Sequence, residues 1–179
     1  KPRAAEDQSG HEIDVVIKRW HEGCEAEYIG EPAPKGLLGR VLAPRGGVVT
    51  HYDRFLLPSV TQVEYRLGDD SHLIVSAALT PISDFETRLF GMAAFRLPIP
   101  LPTKTLKNAL GRLFKPIAVV VLRQDAKMLR KQTAAIQRFG GEQLISTDVD
   151  VLGPHILRLL KDGEKGKREP LAEPYERRI

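Results

Sequence analysis

The chain has 179 residues, 27 Lys and Arg against 23 Asp and Glu, and a formal net charge of +4. Hydrophobic residues make up 42% and charged residues 28%, the balance of a globular domain and not of a disordered or fibrous chain. One Cys excludes a disulfide framework and any multi-cysteine zinc or iron–sulfur site built from these residues. No apolar run approaches the roughly 20 residues of a membrane-spanning helix, and the length suits one domain with a real core. The opening KPRAAEDQSG is polar and has neither Met nor a signal-peptide apolar stretch. It is expected to be the cut end of a longer protein, with the cytoplasm as its default location.

Residues 11–20 alternate in part, with Ile13, Val15 and Ile17 against Asp14 and Lys18, and predict a strand. Residues 30–46 hold Gly30, Pro32, Pro34, Gly36, Gly39, Pro44 and Gly46 and read as an irregular connection. A strand at Val48–Phe55 is a further candidate. Thr61–Leu67 places Val63, Tyr65 and Leu67 on one side. A turn at 68–71 leads to a strand at His72–Thr80, and a turn at 81–84 leads to another at Phe85–Leu97. Turn spacing of this kind implies an antiparallel meander. PIPLPT at 98–103 ends the pattern. Thr103 is placed to cap a short amphipathic helix through Phe114, with Lys115-Pro116 as the next boundary. Helical periodicity without Gly or Pro then runs from Ile117 to Phe139, and Gly140-Gly141 stops it. Residues 142–150 read as a strand or an extended link. Gly153-Pro154 opens a last helix, HILRLLKDGE. The tail from 163 to 179 is charged and rich in breakers, and is expected to wrap the surface or stay loose. Strands first and helices later predict an α+β fold, an antiparallel sheet packed on a long helix.

Charge is unevenly spread. From Thr103 to Arg138 there are nine basic residues and one acid, Asp125. At 100° per residue, Arg123, Lys127, Arg130, Lys131 and Arg138 share an arc of about 100°. Such an arc fits a solvated helix face, an acidic protein partner or, in principle, nucleic acid. No aromatic-interleaved stripe supports the last. The opposite arc holds Ala118, Val121, Leu122, Leu129, Ile136 and Phe139, with Asp125 near its centre. The pattern therefore predicts that Asp125 points toward the core. A buried carboxylate must be protonated, paired or bound to a metal. The plain alternative is an Asp satisfied by a strand Arg or by water.

The run AVVVLRQDAKMLRKQTAAIQRFGGEQLISTDVDVLGPHILRLL, with the upstream meander LPSVTQVEYRLGDDSHLIVSAALTPISDFETRLF, resembles the C-terminal part of Rieske non-haem iron oxygenases. The likeness is to aromatic-ring-hydroxylating alpha subunits, in the pheophorbide a oxygenase-like or vanillate demethylase-like branch. It spans residues 11 to 162 and lies in the order of elements and the helix segment. It implies a helix-grip fold (START or Bet v 1-like), in which a curved antiparallel sheet wraps a long helix around a substrate cavity. Residues 1–162 would be the catalytic domain and 163–179 a charged tail.

The resemblance further implies that Asp125, of the pair Gln124-Asp125, is the carboxylate ligand of a mononuclear Fe(II). Such iron is held by two His and one carboxylate, which leaves positions open for dioxygen. The family's two His lie a few residues apart. His11, His21, His51, His72 and His155 include no such pair, so the His ligands would lie ahead of Lys1. A Rieske [2Fe–2S] centre needs two Cys and two His. With Cys24 alone, that domain is absent from this chain, and the fragment by itself is expected to be inactive and a poor iron binder. The implied activity of the longer parent is insertion of oxygen from O2 into an aromatic or other hydrophobic substrate. A ferredoxin or reductase would supply electrons, with the basic arc as a surface for an acidic donor. A homo-oligomer is also implied; nucleic acid and a membrane span are not.

Nothing in the sequence marks a catalytic side chain or fixes the substrate-binding residues, although Phe90–Phe95, Leu122, Met128 and Gln132 are candidate lining. Trp20 suits a core. Cys24, beside Glu22 and Glu25, is not poised for reactivity. Ser59 and Ser76 lie in no nucleophile elbow, and Arg45-Gly46-Gly47 is not a phosphate loop. The same fold would also serve a non-catalytic module that binds a hydrophobic small molecule or lipid.

Overall fold

The computed structural model describes residues 13–31, 49–68, 71–96, 104–141, 145–147, 150–164 and 172–178. The strands are β1 (Asp14–Trp20), β2 (Gly23–Glu31), β3 (Val49–Leu56), β4 (Val60–Leu67), β5 (Ser71–Ser83), β6 (Glu86–Arg96) and β7 (Ala172–Arg178). The helices are α1 (Lys104–Phe139) and α2 (Gly153–Glu164). The strands form one seven-stranded sheet in the order β6-β5-β4-β3-β2-β1-β7. Every pairing is antiparallel. The fold is α+β, and the predicted meander is present.

Two compact units make up the chain: residues 1–98 with 146–179, and residues 99–145. The core of the first lies over β1–β3. Val15, Ile17, Cys24 and Ala26 are fully buried, and Phe55 nearly so. Register puts their side chains on one face: Ile17 pairs with Ala26 and Cys24 with Phe55. Helix α2 covers that face with Ile156 and Leu159, joined by Val151 and Leu152 just ahead of it. Each such aliphatic side chain contributes about 1.5–3 kcal/mol by leaving water. The start of α2 is held by Asp150, whose carboxylate accepts from the Gly153 N–H at 3.1 Å, a helix cap. The STDVD segment thus has a structural use.

Strand β2 was not expected from the sequence. Its inward residues are Cys24, Ala26 and Tyr28, and its outward ones include Glu25 and Glu27. The alternation is genuine, but small residues and acids disguise it. Gly23 opens the strand because a Cβ there would lie 2.6 Å from the Phe55 carbonyl oxygen and 2.7 Å from the half-buried Trp20 ring. The β1–β2 and β3–β4 turns meet where the Leu57 N–H donates to the Glu22 carbonyl at 2.7 Å.

Two further expectations need correction. The helices predicted at 103–114 and 117–139 are one, α1, with Pro116 inside it. A proline removes one backbone donor and strains one turn, and here the long flanking segments carry the helix through. Gly140 and Gly141, at φ of 74° and 95°, end it as expected. The tail, expected to wrap the surface or stay loose, contains β7, which pairs with β1 from Asp14 opposite Arg178. Its breakers lie mainly before the strand. No strand occurs at 145–147 or 150; the rest of the 142–150 segment, the 32–48 part of the expected connection and His11 lie outside the described residues.

Candidate functional site

The sheet presents two chemically different faces. On the face that carries the core, Tyr28, His51 and Tyr65 are neighbours across β2, β3 and β4. The His51 ring is stacked between the two phenols, with centroids 4.8 Å from Tyr28 and 4.3 Å from Tyr65. Its Nε2 lies 2.9 Å from Asp53 Oδ1 and its Nδ1 lies 3.3 Å from Glu31 Oε1. Ionised carboxylates only accept hydrogen bonds, so a ring that donates to both carries two protons. Burial works against that charge, but the hydrogen bonds and charges of Asp53 and then Glu31 prevail, and the His51 pKa is raised. Burial and then the Asp53 carboxylate push the Tyr28 phenol up to about 12. Burial and the same two acids raise Tyr65 as well. The cluster is a histidine ring between two acids, with its pKa raised, flanked by two phenols whose pKa values are raised as well.

The opposite face carries an ion-pair network. Arg54 donates to Glu25, Glu64 and Gln62. Glu64 also accepts from Arg66 Nε at 2.7 Å and lies 2.7 Å from His72 Nε2. Lys18 bridges Glu25 and Glu27, and the Tyr52 hydroxyl donates to Glu27 at 3.0 Å. Burial would raise the Glu64 carboxyl. The hydrogen bonds from Arg54, Arg66 and His72 outweigh it and bring the pKa down to about 2. This arrangement is structural. It ties β1 through β4 together by charge and reaches β5 through the His72–Glu64 hydrogen bond.

Asp125 lies on α1 and is exposed. So are most of the arc around it: Val121, Leu122, Leu129 and Phe139, the last at 78%. Asp125 therefore stands on an exposed stretch of α1, not in a described core. Periodicity identifies which side chains share a stripe but not whether anything lies on it. Among the α1 residues whose burial is described, only Val119, Ala126, Thr133 and Ile136 are partly covered. Phe90, Met92, Leu122 and Met128, candidate lining residues, are exposed too. The basic residues Arg123, Lys127, Arg130, Lys131 and Arg138 are solvated.

The histidines do not gather. His21 lies in the β1–β2 turn, 3.5 Å from Glu22. His51 and His72 project from opposite faces of the sheet, and His155 is in α2. Among the described residues no three His, Cys, Asp or Glu side chains are grouped to hold a metal ion. Cys24 is buried, and burial pushes its thiol up to about 11, so it is no nucleophile. Among the described residues no helix is long and apolar enough to cross a membrane.

Sequence reasoning missed the His51 cluster because it judged histidines by their distance along the chain. A usable signal was there: His51 and Asp53 are two apart and share a strand face. Tyr28 and Tyr65 enter only through cross-strand register. No protein-family description matches this chain, and no curated protein matches it.

Proposed function

We propose that this chain is part of the catalytic domain of a Rieske-type non-haem iron oxygenase, which inserts oxygen into an aromatic or other hydrophobic substrate. What supports this reading is the order of elements. An antiparallel meander runs into one long helix that carries Gln124-Asp125, and the Ser146–Asp150 run then leads into α2. In this reading the sheet and α1 are the parts of a helix-grip fold, and the exposed basic arc of α1 receives an acidic ferredoxin or reductase.

The described residues do not fit a mononuclear iron on their own, since they bring together no ligand group. Asp125 would be the single carboxylate of a site whose two His, like the [2Fe–2S] centre, belong to protein outside this chain. The test is Asp125→Ala in the intact parent. Mononuclear iron should fall by more than about tenfold, while the visible absorbance of the [2Fe–2S] centre is retained. Full iron occupancy in that variant overturns the assignment.

The second reading is a non-catalytic module that binds a hydrophobic small molecule or lipid. The exposure of Phe85, Phe90 and Met92 on the hairpin favours it. The sequence ahead of Lys1 separates the two: a closely spaced His pair supports the oxygenase, and its absence supports the module.

A further inference from the structure

Strand β6 ends the sheet, and among the described residues it pairs only with β5. It is 11 residues long, holds no proline, and is exposed at every position but Phe95. Its apolar residues include Leu89, Phe90 and Met92, all exposed. Sheet edges are usually blunted by charge, proline, a bulge or a cover. Between its end residues β6 has one charge, Arg88. Such an edge is a template for another strand.

The sequence of β6 is self-complementary in one register. In a two-fold antiparallel pairing centred on Gly91, Glu86 of each copy lies opposite Arg96 of the other. Phe90 lies opposite Met92, a favourable sulfur–aromatic combination, and Leu89 opposite Ala93. Sheet faces also match, because residues paired across an antiparallel ladder share a face. A register centred on Met92 would instead set Arg88 against Arg96 twice, like charges that repel. Centring on Phe90 puts Arg96 beyond the partner strand and leaves Glu86 opposite Ala94.

We propose that β6 is a homodimerisation edge, joining two copies of this chain into one continuous sheet through strand pairing centred on Gly91. The partner is a second copy because the charges at the two ends of the strand neutralise each other only across the two-fold axis. The proposal does not depend on the oxygenase reading.

Sedimentation velocity of the 179-residue chain at low salt tests it. The unmodified chain should show a concentration-dependent dimer. Glu86→Arg alone places Arg opposite Arg at both ends, and Arg96→Glu alone places Glu opposite Glu. Each should weaken the dimer by about tenfold or more, given the energies of cross-strand charge pairs. Mixing the two single variants restores both opposite-charge pairs, so the mixture should form a heterodimer that neither forms alone, and the double variant should dimerise like the original. Circular dichroism should show both variants folded. A monomeric unmodified chain, unaffected dimers in the single variants, or a mixture that stays monomeric would each overturn the proposal, the first by leaving the edge to some other partner.

Discussion

One sheet holds two regions of opposite character. Strands β1–β3 lie under α2, and Val15, Ile17, Cys24 and Ala26 there have no solvent exposure. The β5–β6 hairpin is also rich in apolar residues, yet Ile82, Leu89, Phe90 and Met92 are exposed. The hairpin is about as apolar in sequence as β1, and most of its described residues are exposed. Apolar content therefore makes a strand without deciding what covers its faces. Covering is decided by tertiary partners, and here the partner is α2 with Ile156 and Leu159, together with Val151 and Leu152 just ahead of it.

The largest test of that contrast is a pair of truncations. Ile17→Ala removes a fully buried side chain from beneath α2 and should cost about 3–4 kcal/mol. Phe90→Ala deletes a larger side chain that is 59% exposed, and should change the stability of the isolated chain by less than about 0.5 kcal/mol. Urea unfolding followed by circular dichroism, at a concentration where the chain is monomeric, measures both. Equal losses would mean that the hairpin is covered after all.

A second test acts on the polar face. Glu64 is only 6% exposed at its side chain and is held by Arg54, Arg66 and His72. Its pKa is lowered from 4.5 to about 2, so its contribution is complete above 4.5 and is lost as pH falls toward 2. That corresponds to at most about 3 kcal/mol. Glu64→Gln should flatten the stability curve between those pH values. An unchanged acid limb would show that other carboxylates set it.

The strands at 61–67, 72–80 and 85–97 were legible because their turns carry Gly, Asp, Pro and Ser at the right intervals. Strand β2 was not, since Cys24 and Ala26 are weak hydrophobic marks and its outward acids, Glu25 and Glu27, find their partners Lys18, Tyr52 and Arg54 on other strands. Pro116 suggested a break because local rules treat proline as a terminus, whereas a 36-residue helix absorbs one lost hydrogen bond. Asp125 was placed inward by periodicity, which fixes direction relative to neighbours on the helix and nothing beyond it. The His51 cluster depends on register between strands 23 and 14 positions apart (28 with 51, 51 with 65), which no local pattern contains.

The smallest effect concerns His51, and it separates the two faces by pH. Glu64 fails in acid; His51 fails in base. Because its pKa is raised above 6.5 in the folded chain, its contribution is complete below 6.5 and disappears as pH rises through the elevated folded value. The groups that face it are Asp53 and Glu31 at its nitrogens and Tyr28 and Tyr65 at its ring faces. Losing the ring proton weakens hydrogen bonds to two carboxylates, an effect of about 1–2 kcal/mol for charge-assisted bonds. His51→Phe preserves the stack between the tyrosines and removes the proton. It should be less stable than the original chain near pH 5 and should lose the decline above pH 6.5. Proton NMR of the His51 ring gives the folded titration directly, and a midpoint at or below 6.5 would remove the basis for the high-pH limb.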